Sequence, residues 1–575
     1  MLYYLSLLII AIPSFVSLLN PWYFSMHDFQ HVARLFLLDQ GLHQGYLFPR
    51  WVDLLGFHFG YPLFNFYPPL VYYVSEVFRL MGLSYIWSIK SMIILGYCIG
   101  AIGMYKLSSK VIGSRVAGLV AAALFTFFTY HATLVYVRGA FAEFFGMNIL
   151  PYVFLSLELL KERPTMKRAI FFGSTLALLI LSHVFIAFPF IFFFLIYVGY
   201  STLFTRNKTE YLSHAFLGGL LGAGMSAFFW LPSMLERKFT LVDAILTKEL
   251  ASYVIHFIQP SQLWFSPWGY GGSGAGFADG MSFQLGKIHT GLAVLSLILF
   301  TFLLLKKKID TLQASRFALY VVMLLVSLLM MTEYSQSIWK IISPLQYLQF
   351  PWRFMSFTGV FMAILGGFAL HFLTHCFETL SRRNMIMWIA GLIIIGGTVV
   401  QYQKYFQPER YVYKSDQELT ELKEITWNVS SSSFEFSPKG MPLKKSQYNT
   451  SVFDLNENEI QTSIFDLKKG RAEVESIKNN FNYKSFTVHA KKPSIFQLNT
   501  FNFPGWTARI NGKIVPISND NRYKLITVQV PTGEHSLEFR FEDTLVRKWA
   551  NSASGLSVVV AGLLLSTSKL KKRKA

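Results

Sequence analysis

Long apolar stretches separated by short polar loops fill the first four hundred residues, and a different pattern follows them. A helix needs about 20 mainly apolar residues to cross roughly 30 Å of hydrocarbon. Twelve windows fit: 2–19, 89–107, 113–130, 145–160, 169–184, 186–204, 214–232, 289–305, 317–333, 353–376, 385–401 and 550–568. The run 169–204 is too long for one crossing and predicts two helices. Between 402 and 549 the period shortens to two. SFTVHA, SIFQLNTF, LITVQV and HSLEFRFED alternate apolar with polar positions, with NG at 511–512 and PTG at 531–533 as turn signals. That pattern predicts an antiparallel β-sandwich. The expected fold class is an α-helical polytopic membrane protein of about 12 transmembrane helices, with an extracytoplasmic β-sandwich inserted before the last helix. The expected organisation is a transmembrane module over 1–401, the β-sandwich over 402–549, and the last helix with a basic tail over 550–575. Residues 2–19 lack a basic n-region and an A-x-A-like cleavage site, which predicts a retained first span rather than a signal peptide.

Composition agrees with this reading. The chain is 53% hydrophobic and 15% charged, against about 25% charged in soluble domains. Its net charge of +20 raises the question of nucleic acid, and the placement of the charge answers it. With the N-terminus inside, the loops 106–115, 161–168, 205–213, 306–316, 377–384 and the tail 569–575 are cytoplasmic; they hold 20 basic residues and four acids, Glu162, Glu210, Asp310 and Glu378. This is the asymmetry of a multi-pass protein of the plasma membrane with both termini cytoplasmic, and it excludes a nucleic-acid partner. Cys98 and Cys376 are far apart in apolar segments and make no disulfide framework.

The candidate chemistry lies in the loops between the spans. HDFQH places His27 and His31 four apart with Asp28 between them. On a helix the two imidazoles would share a face, as in the HExxH zinc motif, but the acid is Asp, one methylene shorter than Glu, and no third ligand has diagnostic spacing. Asp28 with flanking histidines is therefore the preferred reading over a metalloprotease. The rest of the loop 20–88 is rich in aromatics, among them Phe57, Phe59, Tyr61, Phe64, Phe66 and Tyr67. They predict helices lying in the membrane interface, where an acid is partly desolvated and tuned for proton transfer.

Further along, VRGAFAEF sets Arg138 five residues before Glu143, and FPWRF puts Arg353 after Trp352 at the start of a span. An Arg–Glu pair and a snorkelling Arg are the structural readings; a phosphate gripped by guanidinium forks is the functional one. His183 ends the fifth window. The glycine cluster of 266–286 has no flanking strand and helix, so it reads as a loop over the membrane surface rather than a dinucleotide fingerprint. In the β-domain, FNFPGW offers aromatic surface for carbohydrate, with a passive cap as the alternative.

In order along the chain, HDFQH with PRWVDLLGFHFGYPLFNFYPPL, VRGAFAEF, LSHVFIA, SPWGYGGSG with GMSFQLG, LQFPWRF, FPGWTARINGK and PTGEHSLEFRF resemble the GT-C superfamily of membrane glycosyltransferases. More narrowly they resemble its bacterial YfhO-like branch and the related membrane proteins labelled pyruvoyl-tetrahydropterin-synthase-related. The resemblance implies transfer of a sugar from a polyprenyl-phosphate-linked donor to an extracytoplasmic cell-envelope acceptor. It implies catalytic roles for Asp28 and Glu143, and donor-phosphate binding by Arg138 and Arg353. His27, His31, His183, Tyr67 and Trp352 are candidates for the substrate pocket. No DxD, DD or DE pair accompanies Asp28, so the metal stays unknown: no cofactor is assigned, and a divalent cation is left open. The zinc-binding histidine set of the soluble synthase has no counterpart. Two other classes stand beside the enzyme: a transporter or flippase for lipid-linked glycan, and a non-catalytic envelope scaffold whose outer domain binds glycan.

Overall fold

The computed structural model describes residues 2–248, 252–377, 379–446, 451–460 and 463–574; Glu378 lies outside them. Each of the twelve apolar windows falls on helix, but they are not twelve straight spans. Among the described residues, eight helices are long and apolar enough to cross a membrane, or ten if each of two bent pairs is one span. The bends are 42° between Arg115–Thr126 and Thr129–Arg138, and 70° between Lys208–Met225 and Ala227–Phe239. A hydropathy window averages over such a break, which is why the sequence shows one span at each place. The first window is a helix, α1 (Leu2–Phe15), continued by a 3-10 turn. The long run 169–204 does hold two helices, Met166–Ser182 and Val184–Phe204, joined at His183.

The first loop holds α2 (His31–His43), α3 (Leu63–Phe66) and α4 (Leu70–Leu80), and α5 (Tyr85–Ile112) then enters the bundle. Ser84 caps α5 by accepting from Trp87 N. The Asp416 carboxylate accepts from Tyr85 N and, at 3.1 Å, Ile86 N, which puts a negative charge at the positive end of the helix dipole. Next come α6 (Arg115–Thr126), α7 (Thr129–Ala132), a π-turn over Thr133–Arg138, and α8 (Phe141–Glu162). Small residues bring α5 and α8 close. Phe144, Asn148 and Tyr152 of α8 lie over Gly96, Gly100 and Gly103 of α5, and a Cβ at Gly100 would stand 1.7 Å from Asn148 Oδ1. With no hydrophobic drive between helices in lipid, this close packing fixes their separation. It also fixes the first turn of α8, where Glu143 sits.

Two short strands tie the first loop to the segment after the bundle: β1 (Tyr23–Phe24) pairs antiparallel with β2 (Tyr411–Val412). An antiparallel pair of β3 (Leu443–Lys445) and β4 (Ser451–Phe453) follows. Then come β5 (Phe465–Asn480), β6 (Tyr483–Phe501), β7 (Trp506–Ile510), β8 (Lys513–Val515), β9 (Leu525–Val530) and β10 (Gly533–Phe541). The alternation read from sequence is present, with Leu537, Phe539 and Phe541 inward and Glu538 and Arg540 less buried. The hydrogen bonding, however, gives one six-stranded antiparallel sheet in the order β5-β6-β10-β7-β8 rather than the two sheets of a sandwich. The long strand β6 pairs β10 with its first half and β9 with its second.

Four of the loop aromatics face protein rather than lipid. Trp51, Phe57, Phe59 and Phe66 are buried in the core of the β-sheet domain, beside Phe486, Phe496 and Phe539. Phe501, Phe503 and Trp506 of FNFPGW are buried in that core too, so this stretch offers no aromatic surface to carbohydrate. Aromatic composition signals burial, but it does not tell a protein core from a headgroup layer.

The last helix, Leu545–Lys574, is anchored by Arg547. Its guanidinium is fully buried and grips Glu236 Oε2 with Nε at 3.0 Å and Nη2 at 2.9 Å; Asn65 and Thr544 bind the same carboxylate. One ion pair thus joins the last helix, the bent span and the first loop. Arg547→Met leaves Glu236 buried without its cation, and the expected cost is about 3–5 kcal/mol. The measurement is the thermal unfolding midpoint of the detergent-solubilised protein, with Arg547→Met/Glu236→Leu regaining most of the loss. An unchanged midpoint in the single variant contradicts the assignment.

Candidate functional site

The candidate residues meet where the first loop lies back on the turn after the π-turn. His27 N donates to Val137 O at 3.0 Å and Asp28 N to Arg138 O at 2.8 Å. The close approach depends on Gly139, at φ +66°, where a Cβ would stand 2.5 Å from Met26 Sδ and 2.9 Å from Asp28 O. A π-turn directly before a functional segment is a recurrent arrangement.

Glu143 is the centre of the cluster. Its Oε2 takes Arg138 Nη1 at 2.9 Å and Arg353 Nε at 3.3 Å, and its Oε1 accepts from the Tyr130 hydroxyl. The two arginines are not equivalent. Arg353 is also spent on Leu348 O and Gln349 Oε1. Arg138 makes no other side-chain hydrogen bond among the described residues and lies over the Trp352 ring, 4.4 Å from guanidinium carbon to centroid. Trp352 Nε1 in turn donates to Ser273 Oγ at 3.3 Å, so the glycine-rich loop of 266–286 rests on this shelf. His183, between its two helices, packs against Gly146, one turn beyond Glu143; its buried Nδ1 has no hydrogen-bond partner.

The histidines do not form a zinc motif. Helix α2 begins at His31, so His27 is outside it and the two rings share no helix face. His31 uses both ring nitrogens, Nδ1 with Tyr72 Oη at 3.0 Å and Nε2 with Gly139 O at 2.5 Å. Burial and then the Arg34 charge push this ring down to about 4, so it is a neutral staple. His27 Nδ1 meets Asp28 Oδ1 at 2.7 Å. Among the described residues no group of three or more His, Cys, Asp or Glu is arranged to hold a metal.

Asp28 is not the raised, desolvated acid expected from an interfacial loop. Burial favours its neutral form, but the His27 hydrogen bond and the charges of His27 and Arg138 outweigh that and hold it at about 2. The side chain is 34% exposed, so the carboxylate is ionised and accessible.

Sequence reading missed the other half of the site. Arg34, on α2, lies over the Tyr67 ring at 4.0 Å and donates to Ser433 Oγ at 2.9 Å. Ser433 also bonds Glu435, whose carboxyl is raised by burial and partly brought back by Arg34. Arg34 and Glu435 are four hundred residues apart, and neither lies in a recognisable motif. The available signal was a single Arg inside the apolar run HVARLFLL.

Site and fold define a polytopic membrane protein whose charged cluster sits at the end of the helix bundle that carries a β-sheet domain. The chain belongs to the family described as 6-pyruvoyl-tetrahydropterin synthase related domain, membrane protein, whose profile matches residues 64–406. The matched region contains Arg138, Glu143, His183, Trp352 and Arg353, and begins after Asp28. A search among curated proteins finds no match. Solved structures similar to this chain include the arabinofuranosyltransferase AftD from Mycobacteria, at 12% identity and TM-score 0.43, over 71% of this chain and 27% of that one. They also include the oligosaccharyltransferase AglB from Archaeoglobus fulgidus in complex with an inhibitory peptide and a dolichol-phosphate, at 12% identity and TM-score 0.47, over 77% and 62%. The chain thus spans about a quarter of the length of the first and under two thirds of the second.

The Asp28–His27 contact has a defined pH window. Asp28 drops from 3.8 to about 2 on folding, so its contribution is present above about 3.8 and is lost as pH falls towards 2. His27 is raised above 6.5, first by its bond to Asp28, so its contribution is complete below 6.5 and lost as pH rises through the higher folded value. Histidine NMR on labelled protein should place the His27 midpoint above 6.5, with a fall in Asp28→Asn. A wild-type midpoint at or below 6.5 contradicts the pairing.

Proposed function

We propose that this protein is a membrane glycosyltransferase that moves a sugar from a polyprenyl-phosphate-linked donor to a cell-envelope acceptor on the outer face of the plasma membrane, with both termini in the cytoplasm. The observation that carries the reading is the meeting of Asp28, Arg138 and Glu143 at one end of the bundle, with Arg138 keeping donors to spare and Asp28 partly open. A polyprenyl phosphate is confined to the bilayer, so donor and enzyme meet in two dimensions with the sugar at the interface.

In the proposed reaction the anomeric C–O bond breaks and its electron pair stays on the phosphate oxygen. Arg138 stabilises the charge that develops there, a role for fixed donors that grows towards the transition state. Arg353 and Glu143 act as positioning residues that hold Arg138 over Trp352. The acceptor hydroxyl attacks the anomeric carbon, which is oxocarbenium-like, and its proton passes to Asp28. A hydroxyl bonding to such a centre becomes strongly acidic, so a carboxylate held near 2 is basic enough to take that proton. No step uses a metal.

General-base catalysis contributes typically 10²–10⁴ in rate. Asp28→Asn is therefore expected to lose transfer by about that factor while inserting and accumulating normally. The assay follows radiolabelled lipid-linked sugar in membranes. Transfer of label to an acceptor supports the enzyme, label crossing the bilayer supports a flippase, and neither supports a scaffold. Near wild-type transfer by Asp28→Asn removes Asp28 from the mechanism.

A further inference from the structure

A cavity of about 230 Å³ lies between the first loop and the β-sheet domain, apart from the cluster around Glu143. Helix α2 forms one wall with Phe36 and Gln40, spaced i, i+4 and so on one face, and Gln44, the residue capping its C-terminal end, continues that wall. The opposite wall includes Asn479, Phe481 and Lys484. The charges here cancel, since Lys484 Nζ donates to Asp53 Oδ2 at 2.7 Å and to Asn479 Oδ1 at 2.6 Å. What remains is amide chemistry. Gln44 spends its Oε1 on Phe481 N at 2.8 Å and keeps its NH2, Asn479 keeps its NH2, and the Gln40 amide has no partner among the described residues.

The backbone around this cavity is costly to hold. Gly56, Phe57 and His58 are consecutive residues with φ of +66°, +59° and +67°. Two of them are not glycine, and that conformation is uncommon outside glycine and costs free energy at each. Packing retains it: Phe57 is buried, with its ring stacked 4.5 Å from Phe453. The turn brings His58 into the cavity lining. Strain of this kind concentrates at ligand sites.

The lining matches one class of ligand. A sugar ring carries hydroxyls that donate and accept at once, which amides answer in kind, and its C–H faces pack against phenyl rings such as Phe36 and Phe481. The lining's carboxylate and ammonium, Asp53 and Lys484, are spent on each other rather than offered to a phosphate or a carboxylate. We propose that this cavity is a subsite for a neutral sugar residue of the acceptor glycan. It stands along α2 from the reaction site: His31 and Gln40 are nine residues apart, about 14 Å at 1.5 Å per residue. The assignment to the acceptor rests on the glycosyltransferase reading; the binding of a neutral sugar does not.

Saturation-transfer NMR on the full-length protein in detergent tests it, with methyl glycosides of glucose, galactose, mannose and N-acetylglucosamine as probes and glucuronate and inorganic phosphate as charged comparators. Saturable binding of at least one neutral glycoside is expected, weakened about three- to tenfold by Gln40→Leu or by the exposed-site variant Asn479→Ala, and retained by Asp28→Asn. No glycoside binding, equal binding by the charged comparators, insensitivity to both cavity variants, or loss in Asp28→Asn each overturns the proposal. Glycoside binding without any sugar transfer leaves the subsite standing and removes the enzyme; transfer without glycoside binding does the reverse.

Discussion

The arrangement at the head of the bundle depends on one buried carboxylate. Glu143 is 1% exposed and takes a hydrogen bond from each of two guanidiniums and a phenol. Taking an ion out of water is expensive, and a buried charge persists only with good partners on every side. Here the partners come from two separate stretches: Tyr130 and Arg138 from the two ends of the helical segment Thr129–Arg138, and Arg353 from the turn that opens the buried span Pro351–His375. Because each partner satisfies part of one acceptor, none can move without leaving a charge unmet. Rigidity at this point passes outward through Arg138 to the Trp352 shelf, and through the Val137 and Arg138 carbonyls to the segment that carries Asp28.

Local pattern made much of this legible. Apolar windows located every helix that enters the bundle, because twenty apolar residues have few other uses. The same windows could not see that two of them bend, since the break at 126–129 and the one at Ser226 occur inside continuous apolarity. Period-two alternation located β6, β9 and β10 but not β7 or β8, and strand periodicity fixes which side chains face inward while leaving open how strands share edges. One strand long enough to pair two partners in succession turned an expected sandwich into a single sheet.

For the site, loop position brought Asp28, Arg138, Glu143 and Arg353 to attention, and all four lie in one corner of the fold. Their electrostatic states were not legible. A carboxylate in an aromatic loop suggests desolvation, yet Asp28 is held low because His27, the neighbouring residue, turns back on it. Arg34 and Glu435 were invisible for a different reason. Their proximity is created by the β1–β2 pairing and by the Tyr61 hydroxyl accepting from Phe436 N at 2.9 Å, contacts that no local window contains.

Those contacts make the β-sheet domain part of the site rather than an appendage. It contributes Ser433 and Glu435 to Arg34, the Asp416 cap to α5, and one wall of the neutral cavity, while the first loop returns Trp51, Phe57 and Phe59 to its core. Helix α2 is common to the Arg34 contacts and the cavity wall. Its first turn holds His31 against Gly139, its second holds Arg34 over Tyr67, and its far half lines the cavity. In the proposed reaction this geometry separates two kinds of recognition. The phosphate end of the donor meets the cationic shelf, where fixed charge is useful because charge develops there. The glycan end of the acceptor meets a neutral amide surface, where a charge would only need desolvating. A single stiff helix between them sets the distance from the bond that forms to the sugar that is recognised.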